Sequence, residues 1–419
     1  MVVLMGWLSR DGRILMVNKA TRSLAYGVSG TMLAIYLKTI GVHELAIGVL
    51  LTASLLGSIC FNLATIRYSP RFGRRRMLIA YSSLMFISGL IFLLTRTYLA
   101  MLIATVTGLI SVASSDSGPF LILEQSILPN TCAESRRTLS FSVYSAVGSL
   151  FMAFGALLVG SASLLQSAYH LPLSTSLQYL FAFYTAMALL LIFLYSLVSP
   201  EVAEAGNAKR ATRKLSPDSR KIVSGLSGLF MMDAFGGGLV IQSLVAYWFF
   251  ERFHVSVAAI SIIFFAANVI SATSFFIAVK LADRIGLIRT MVFTHIPSNI
   301  MLMLVAFAPS LAIALVFYLG KMSLSQMDVP TRQSYVVSVV EPEERTAASG
   351  YTNTARGIAQ STAPSAAGYV IQAVSLSAPF FMAGALKIAY DLLLYRSFRH
   401  IRPPAERQTE PHRTEDDRA

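Results

Sequence analysis

Charged side chains inside long apolar runs are the residues of this 419-residue sequence whose chemistry stands out. Asp116 and Glu124 bracket a Gly118-Pro119 pair, and the segment before them, Met101 to Ser111, is apolar enough to sit in lipid. A later run repeats the arrangement loosely. Asp328 is followed by Pro330, and Arg332 comes four residues after Asp328, on the same helix face, where the two can pair. Lys321 lies almost two turns earlier, Asp233 precedes Gly236-Gly237-Gly238, Arg22 has Tyr26 one turn further along its face, and Asn353 and Arg356 share a face. A charge inside a spanning segment costs about 2.5–3.5 kcal/mol on insertion scales, and such residues mark proton relays, ion paths and substrate anchors. Asp116, Asp233 and Asp328 suit proton or cation binding, whereas Arg22, Lys321, Arg332 and Arg356 suit an organic anion. Structural readings stand beside these: Arg22 as an interfacial arginine snorkelling to water, the three glycines as a close helix crossing, and Lys387 with Asp391 as a local pair four residues apart.

Such residues need a membrane-spanning frame, and the composition supplies one. Hydrophobic residues make up 55% and charged residues 13%, where a soluble domain carries about a quarter charged. Stretches of roughly 20 apolar residues predict twelve helices, at about 14–37, 44–66, 75–95, 98–127, 138–164, 177–198, 223–249, 256–281, 288–307, 310–338, 346–373 and 378–396. The fold class expected is all-α integral membrane. The one long polar connection, Ser199 to Lys221, divides the spans six and six. The expected organisation is therefore a bundle over 1–198, a linker over 199–222, a second bundle over 223–400 and a polar tail over 401–419.

Lysine and arginine bias sets the orientation. Arg67, Arg71, Arg74, Arg75, Arg76, Arg136, Arg137, Arg284, Arg289 and Arg345 share the linker's side, against Lys38, Arg96 and Arg252 opposite. Both termini are expected in the cytoplasm of a cell with the chain in its plasma membrane. The net charge of +13 is thus a topology signal, and nucleic acid is not an expected partner. Cys60 and Cys132 form neither a disulfide framework nor a zinc site. No cleavable signal peptide is read at the N-terminus.

The halves echo each other. Glu124-Gln125-Ser126 precedes Arg136-Arg137-Thr138, and 208 residues later Arg332-Gln333-Ser334 precedes Glu344-Arg345-Thr346 at the same spacing. Ala25-Tyr26-Gly27 is matched by Ala234-Phe235-Gly236. A duplicated six-helix unit is inferred, which makes Glu124 and Arg332 repeat partners and candidates for a gate between the halves.

The loop "RFGRRR", Arg71 to Arg76, and its counterpart "ADRIGLIR", Ala282 to Arg289, resemble the loop signature G-x-x-x-D-R-x-G-R-R of the major facilitator superfamily. Arg71, Gly73, Arg74 and Arg75 match the first copy; Asp283, Arg284 and Gly286 match the second. The resemblance implies two pseudo-symmetric six-helix bundles, a cavity lined by spans one, four, seven and ten, and a cytoplasmic gating latch in these loops. Pro70 replaces the first-copy Asp, and Ile66 and Val279 replace glycines, so the latch would rest on Asp283. Ala104 occupies the arginine position of the fourth-span R-x-x-Q-G pattern, and the fifth span has no Gly-Pro, so the resemblance points to the superfamily rather than to a drug-exporter branch. His295 falls on span nine, which the resemblance makes peripheral, although histidine can titrate near neutral pH.

The function expected is secondary active transport of a small organic solute by alternating access, coupled to protons, with efflux ranked above uptake. The alternatives are uptake or facilitated diffusion of an organic anion or metabolite, and a transport-dead membrane sensor or scaffold. No ATP-binding Walker A pattern, cofactor motif, nucleophile-plus-base pattern or zinc motif is present. The chain is expected to be a monomer, not an enzyme, with no cofactor and no metal.

Overall fold

The computed structural model describes residues 7–112, 118–133, 137–204, 215–325, 327–341 and 344–398. Twelve spans follow one another. In the first half they are Arg10–Thr39, Glu44–Phe72, Arg74–Leu94, Tyr98–Thr107 with Pro119–Ile127, Arg137–Leu158 with Ser161–Tyr169, and Leu173–Ser196. In the second half they are Pro217–Leu239 with Gln242–Phe253, Val257–Ile285, Leu287–Ala306, Leu311–Leu324 with Asp328–Ser338, Arg345–Ala373, and Ala378–Phe398. Spans one to twelve below refer to these ranges. A short helix, Pro200–Glu204, opens the linker. Asp116, the middle of the linker and the tail beyond 400 lie outside the described residues.

Eight of these helices are long and apolar enough to cross a bilayer, and Tyr98–Thr107 and Leu311–Leu324 are shorter apolar helices. Spans one and eleven are the polar exceptions, and burial explains how a membrane protein holds them. Of the 30 residues of span one, 23 are buried, including Asn18, Lys19, Arg22 and Ser29. It packs on spans five, six and seven and meets little lipid. Glycine makes the closest of these crossings: a Cβ on Gly27 would strike the Met152 carbonyl, and one on Gly155 the Leu24 carbonyl. The equivalent crossing of the second half sets Gly238 of span seven against the Gln360 carbonyl of span eleven. The other two glycines of that triplet carry the aliphatic stem of Lys387.

Two turns on the side of the membrane that carries the linker confirm the duplication. Gly73 (φ 86°) starts span three and Gly286 (φ 85°) starts span nine. Both lie in the region that a side chain resists, so the loop motif needs glycine at its centre in each copy. Arg74 donates to the Ala203 carbonyl at 3.2 Å, and Arg75 to the carbonyls of Tyr195 (3.4 Å) and Ser196. These arginines of the first loop therefore fasten onto the end of span six and the linker helix of their own half. The Asp283 side chain lies outside the described residues.

The two halves meet toward the far side, opposite the linker. Gly368 lies against the Glu44 carbonyl and Gly48 against the Pro364 carbonyl, so spans two and eleven touch backbone to backbone. Ser365 donates to Thr52 at 2.8 Å, Gln242 to Thr31 at 2.8 Å, Ser243 to the Gly30 carbonyl at 2.7 Å, and Tyr247 to Glu44 at 3.1 Å. The contact of spans two and eleven still holds at Ile59 and Gly357. Closer to the linker side, a Cβ on Gly350 would meet nothing within 4 Å, and Tyr351 is 64% exposed. The described contacts between spans two and eleven run from the far side as deep as Ile59 and Gly357.

Candidate functional site

Span four loses its helix midway, as Gly118-Pro119 predicts. Pro119 takes the first helical position of the second piece, where its missing N–H is harmless, and Gly118 caps it in extended conformation. Span ten is interrupted in register, between Leu324 and Asp328. Discontinuous helices at matching points of two repeats are where transport sites form. Backbone freed from a helix at membrane depth needs new partners, and here serines provide them. Ser29 of span one donates to the Ser111 carbonyl at 2.9 Å, Ser54 of span two to Ile110, and Ser243 of span seven to Val112 at 3.3 Å. Each serine is ten residues from the far-side end of its helix, or about 15 Å into the membrane. One of the three comes from the opposite half. Sequence reasoning passed over these serines, because a lone serine in an apolar helix carries no spacing signal.

In the first half, Arg22 and Glu124 form a pair at 2.6 Å with both side chains 0% exposed. Tyr195 of span six donates to Glu124 Oε1 at 2.7 Å, and Tyr144 of span five donates to Oε2. Arg22 also reaches both phenol oxygens, at 3.0 and 3.2 Å, and its guanidinium stacks 4.9 Å from the Phe120 ring centre. Four helices are thus pinned at one point. Arg22 does not snorkel to the interface, and Glu124 is neutralised by Arg22 in its own half. Tyr26, one turn from Arg22, is 4% exposed in the same core.

In the second half, Asp233 of span seven is the hub. Its Oδ1 accepts from Lys387 of span twelve at 2.7 Å, and its Oδ2 accepts from Arg356 of span eleven at 2.7 Å. Arg332 stands 3.6 Å from Oδ2 and holds Asp328 at 2.5 Å. His295 of span nine lies 3.8 Å from Asp233 Oδ1 and binds Asp391 of span twelve at 2.9 Å. Lys387 and Asp391 are therefore not a local pair: each points to another helix, because Asp233 and His295 offer buried partners of opposite character. Asp328 and Arg332 do pair within span ten, one of the arrangements their spacing allows. Glu124 and Arg332 each bind within their own half.

Lys321, in the last turn before the span-ten break, meets the Met322 sulfur at 3.4 Å. Among the described residues no carboxylate lies within ion-pair distance of its ammonium. The aromatics of the cavity spans are mostly core: Tyr36 packs with Phe92 and Phe181, and Trp248 with Phe249, Phe253 and Phe380.

Two six-helix halves, an interrupted span in each and contacts between the halves on the far face are the architecture of a multi-pass secondary transporter. The chain belongs to the Major Facilitator Superfamily, whose sequence pattern matches residues 15–361 and, in a second overlapping match, 226–416. It is similar to the uncharacterized membrane protein YJR124C of Saccharomyces cerevisiae, with 24% identity over 437 residues that cover 96% of this chain and 97% of that protein. Among solved structures it resembles the nucleoside transporter NupG, with a TM-score of 0.73 and 13% identity over 93% of this chain and 99% of that one. A D-xylose-proton symporter gives a TM-score of 0.71 and 18% identity over 91% and 97%. These structural likenesses establish the fold, and the family establishes a transporter rather than an enzyme.

Proposed function

We propose that the chain exports a small organic solute across the plasma membrane in exchange for protons, with the linker and both termini in the cytoplasm. The contacts between the halves on the far side, from Glu44 and Gly48 to Ile59, support this reading, since they close the face opposite the one where the positive-inside rule puts the cytoplasm. Such a state is arranged to load from within. Rocking of the halves about the interrupted spans four and ten would then close the linker side and part the glycine contacts opposite.

The roles proposed follow the geometry. The Arg22–Glu124 cluster keeps the first half rigid as it rocks. Asp233 and Asp328, with Arg332 and Arg356, form the coupling cluster of the second half. Arg71, Gly73, Arg74 and Arg75, with Asp283, Arg284 and Gly286, form the latch that meets when the linker side closes. Asp116 keeps its place as a proton-binding candidate on sequence grounds alone. A second reading, transport of an organic anion in either direction, is favoured by Lys321, a membrane-embedded ammonium that a carboxylate of the solute would satisfy.

The test is transport by purified protein in liposomes. A panel of nucleosides, sugars, organic acids and amphipathic amines is first screened by thermal shift, and binders are then followed with and without a pH gradient. Accumulation against a gradient of the solute, driven by an opposed proton gradient, is the expected result. A panel in which nothing binds and nothing moves would remove the transporter's organic-solute assignment, and uphill uptake alone would reverse the direction.

A further inference from the structure

His295 bridges spans seven and twelve through its two ring nitrogens, and the roles above leave it without a task. Its Nδ1 lies 2.9 and 3.1 Å from the two oxygens of Asp391. Asn299, one turn along span nine, donates to the same carboxylate at 3.1 Å. A carboxylate only accepts, so Nδ1 carries a hydrogen. The other nitrogen, Nε2, faces Asp233 Oδ1 across 3.8 Å, beyond hydrogen-bond range. That oxygen is already taken by Lys387 at 2.7 Å, while Arg356 holds Oδ2 at 2.7 Å and Arg332 stands 3.6 Å from it. Among the described residues, Tyr390 of span twelve also meets the imidazole, edge-on at 6.1 Å, and Asp328 of span ten joins the cluster through Arg332. The ring is 3% exposed.

We propose that Nε2 of His295 is the proton-binding atom of this transporter, where a bound proton competes with Lys387 for Asp233. The proton comes from water and adds to the Nε2 lone pair; no other bond is made or broken. The imidazole then donates at both nitrogens, to Asp391 and toward Asp233. Reaching Oδ1 requires closing the 3.8 Å gap by about an ångström. That movement draws span nine toward span seven and displaces the Lys387 ammonium, loosening span twelve. Asp233 keeps its bond to Arg356, which precedes Gly357, the point where span eleven touches Ile59 of the first half. The proton is thereby felt at the contact that must change when the halves rock. This inference deepens the proton coupling proposed above and rests on it only for the link to solute movement.

The test needs no solute. Protein labelled with 15N-histidine and held in lipid nanodiscs has six histidines, and the resonance lost in His295→Gln identifies the one of interest. Its nitrogen shifts are expected to respond to pH and to differ in Asp391→Asn. In parallel, spin labels at Arg67→Cys and Tyr351→Cys, in a Cys60→Ser/Cys132→Ser background, report the linker-side separation of spans two and eleven. The distance distribution is expected to change with pH in the parent and to be fixed in His295→Gln. Lys387→Met, which removes the competitor, should give at pH 8 the distribution of the parent at pH 5, and this variant serves if His295→Gln folds poorly. A His295 resonance that does not respond to pH overturns the proposal. So does a pH response of the same size in His295→Gln, or a Lys387→Met distribution that matches the parent at every pH. Failure of the transport reading looks different: a titrating His295 that moves the halves, in a protein that carries no solute against a gradient, would leave the proton site standing and remove the exporter.

Discussion

Arg22 and Glu124 tie span one to span four by an ion pair that no solvent reaches, and Asp233 and Arg332 tie span seven to span ten with the signs exchanged. The acid of the first half sits on its fourth helix and that of the second half on its first. Repeat partners therefore need not share a charge, because each finds an opposite charge within its own half. The exchange also explains why Glu124 and Arg332 do not need each other: each is matched at home.

Breaking the first of these pairs should be expensive. Arg22→Met leaves Glu124 buried with only phenol donors and is expected to destabilise the protein by about 3–5 kcal/mol. Arg22→Met combined with Glu124→Gln should recover more than half of that loss. Thermal melting of the purified variants measures both, and equal melting of the two variants would contradict a coupled pair.

Asp233 should be harder to lose than any one of its partners. Asp233→Asn leaves Lys387 and Arg356 without a carboxylate, whereas Lys387→Met leaves Asp233 bonded to Arg356 at 2.7 Å. The expected order of melting temperature is parent, then Lys387→Met, then Asp233→Asn. The reverse order for the two variants would show that Lys387, not Asp233, organises the cluster.

Cross-linking tests the far-side closure. Thr52 and Ser365 are in hydrogen-bond contact across the halves at 2.8 Å. Thr52→Cys/Ser365→Cys, in a protein lacking Cys60 and Cys132, should form a disulfide on mild oxidation and stop transport until it is reduced. Unimpaired turnover with the disulfide in place would mean that this face never opens.

The serines at the broken segment of span four should act unequally. Losing one bond to a buried carbonyl costs about 1–3 kcal/mol, so Ser29→Ala and Ser54→Ala should lower stability without favouring either face. Ser243→Ala removes a bond between the halves and should in addition raise the population open on the far side. The same cysteine pair reports this as slower cross-linking in Ser243→Ala than in Ser29→Ala.

Much of the architecture was legible because the bilayer writes long apolar runs and lopsided arginines into a chain. The twelve spans and the glycine turns at 73 and 286 follow from that signal and from a repeated loop. The pairing of the buried charges was not legible, since helix periodicity says which residues share a face but not which face meets which helix. Lys387 and Asp391 show the limit: four residues apart, they could bond to each other, and packing of spans seven and nine against span twelve sends them to different partners. Aromatic residues on the cavity spans are no guide either, because Tyr36 and Trp248 fill bundle cores as well as they would line a cavity.

Span one, polar along its length and buried on nearly all sides, also bears on how the protein is made. A segment carrying Asn18, Lys19 and Arg22 is costly to hold in lipid while its partners Glu124, Tyr144 and Tyr195 have yet to be synthesised. Its stable insertion is expected only once the sixth helix, which brings Tyr195, is complete. The first half of this transporter is then born as a unit rather than helix by helix.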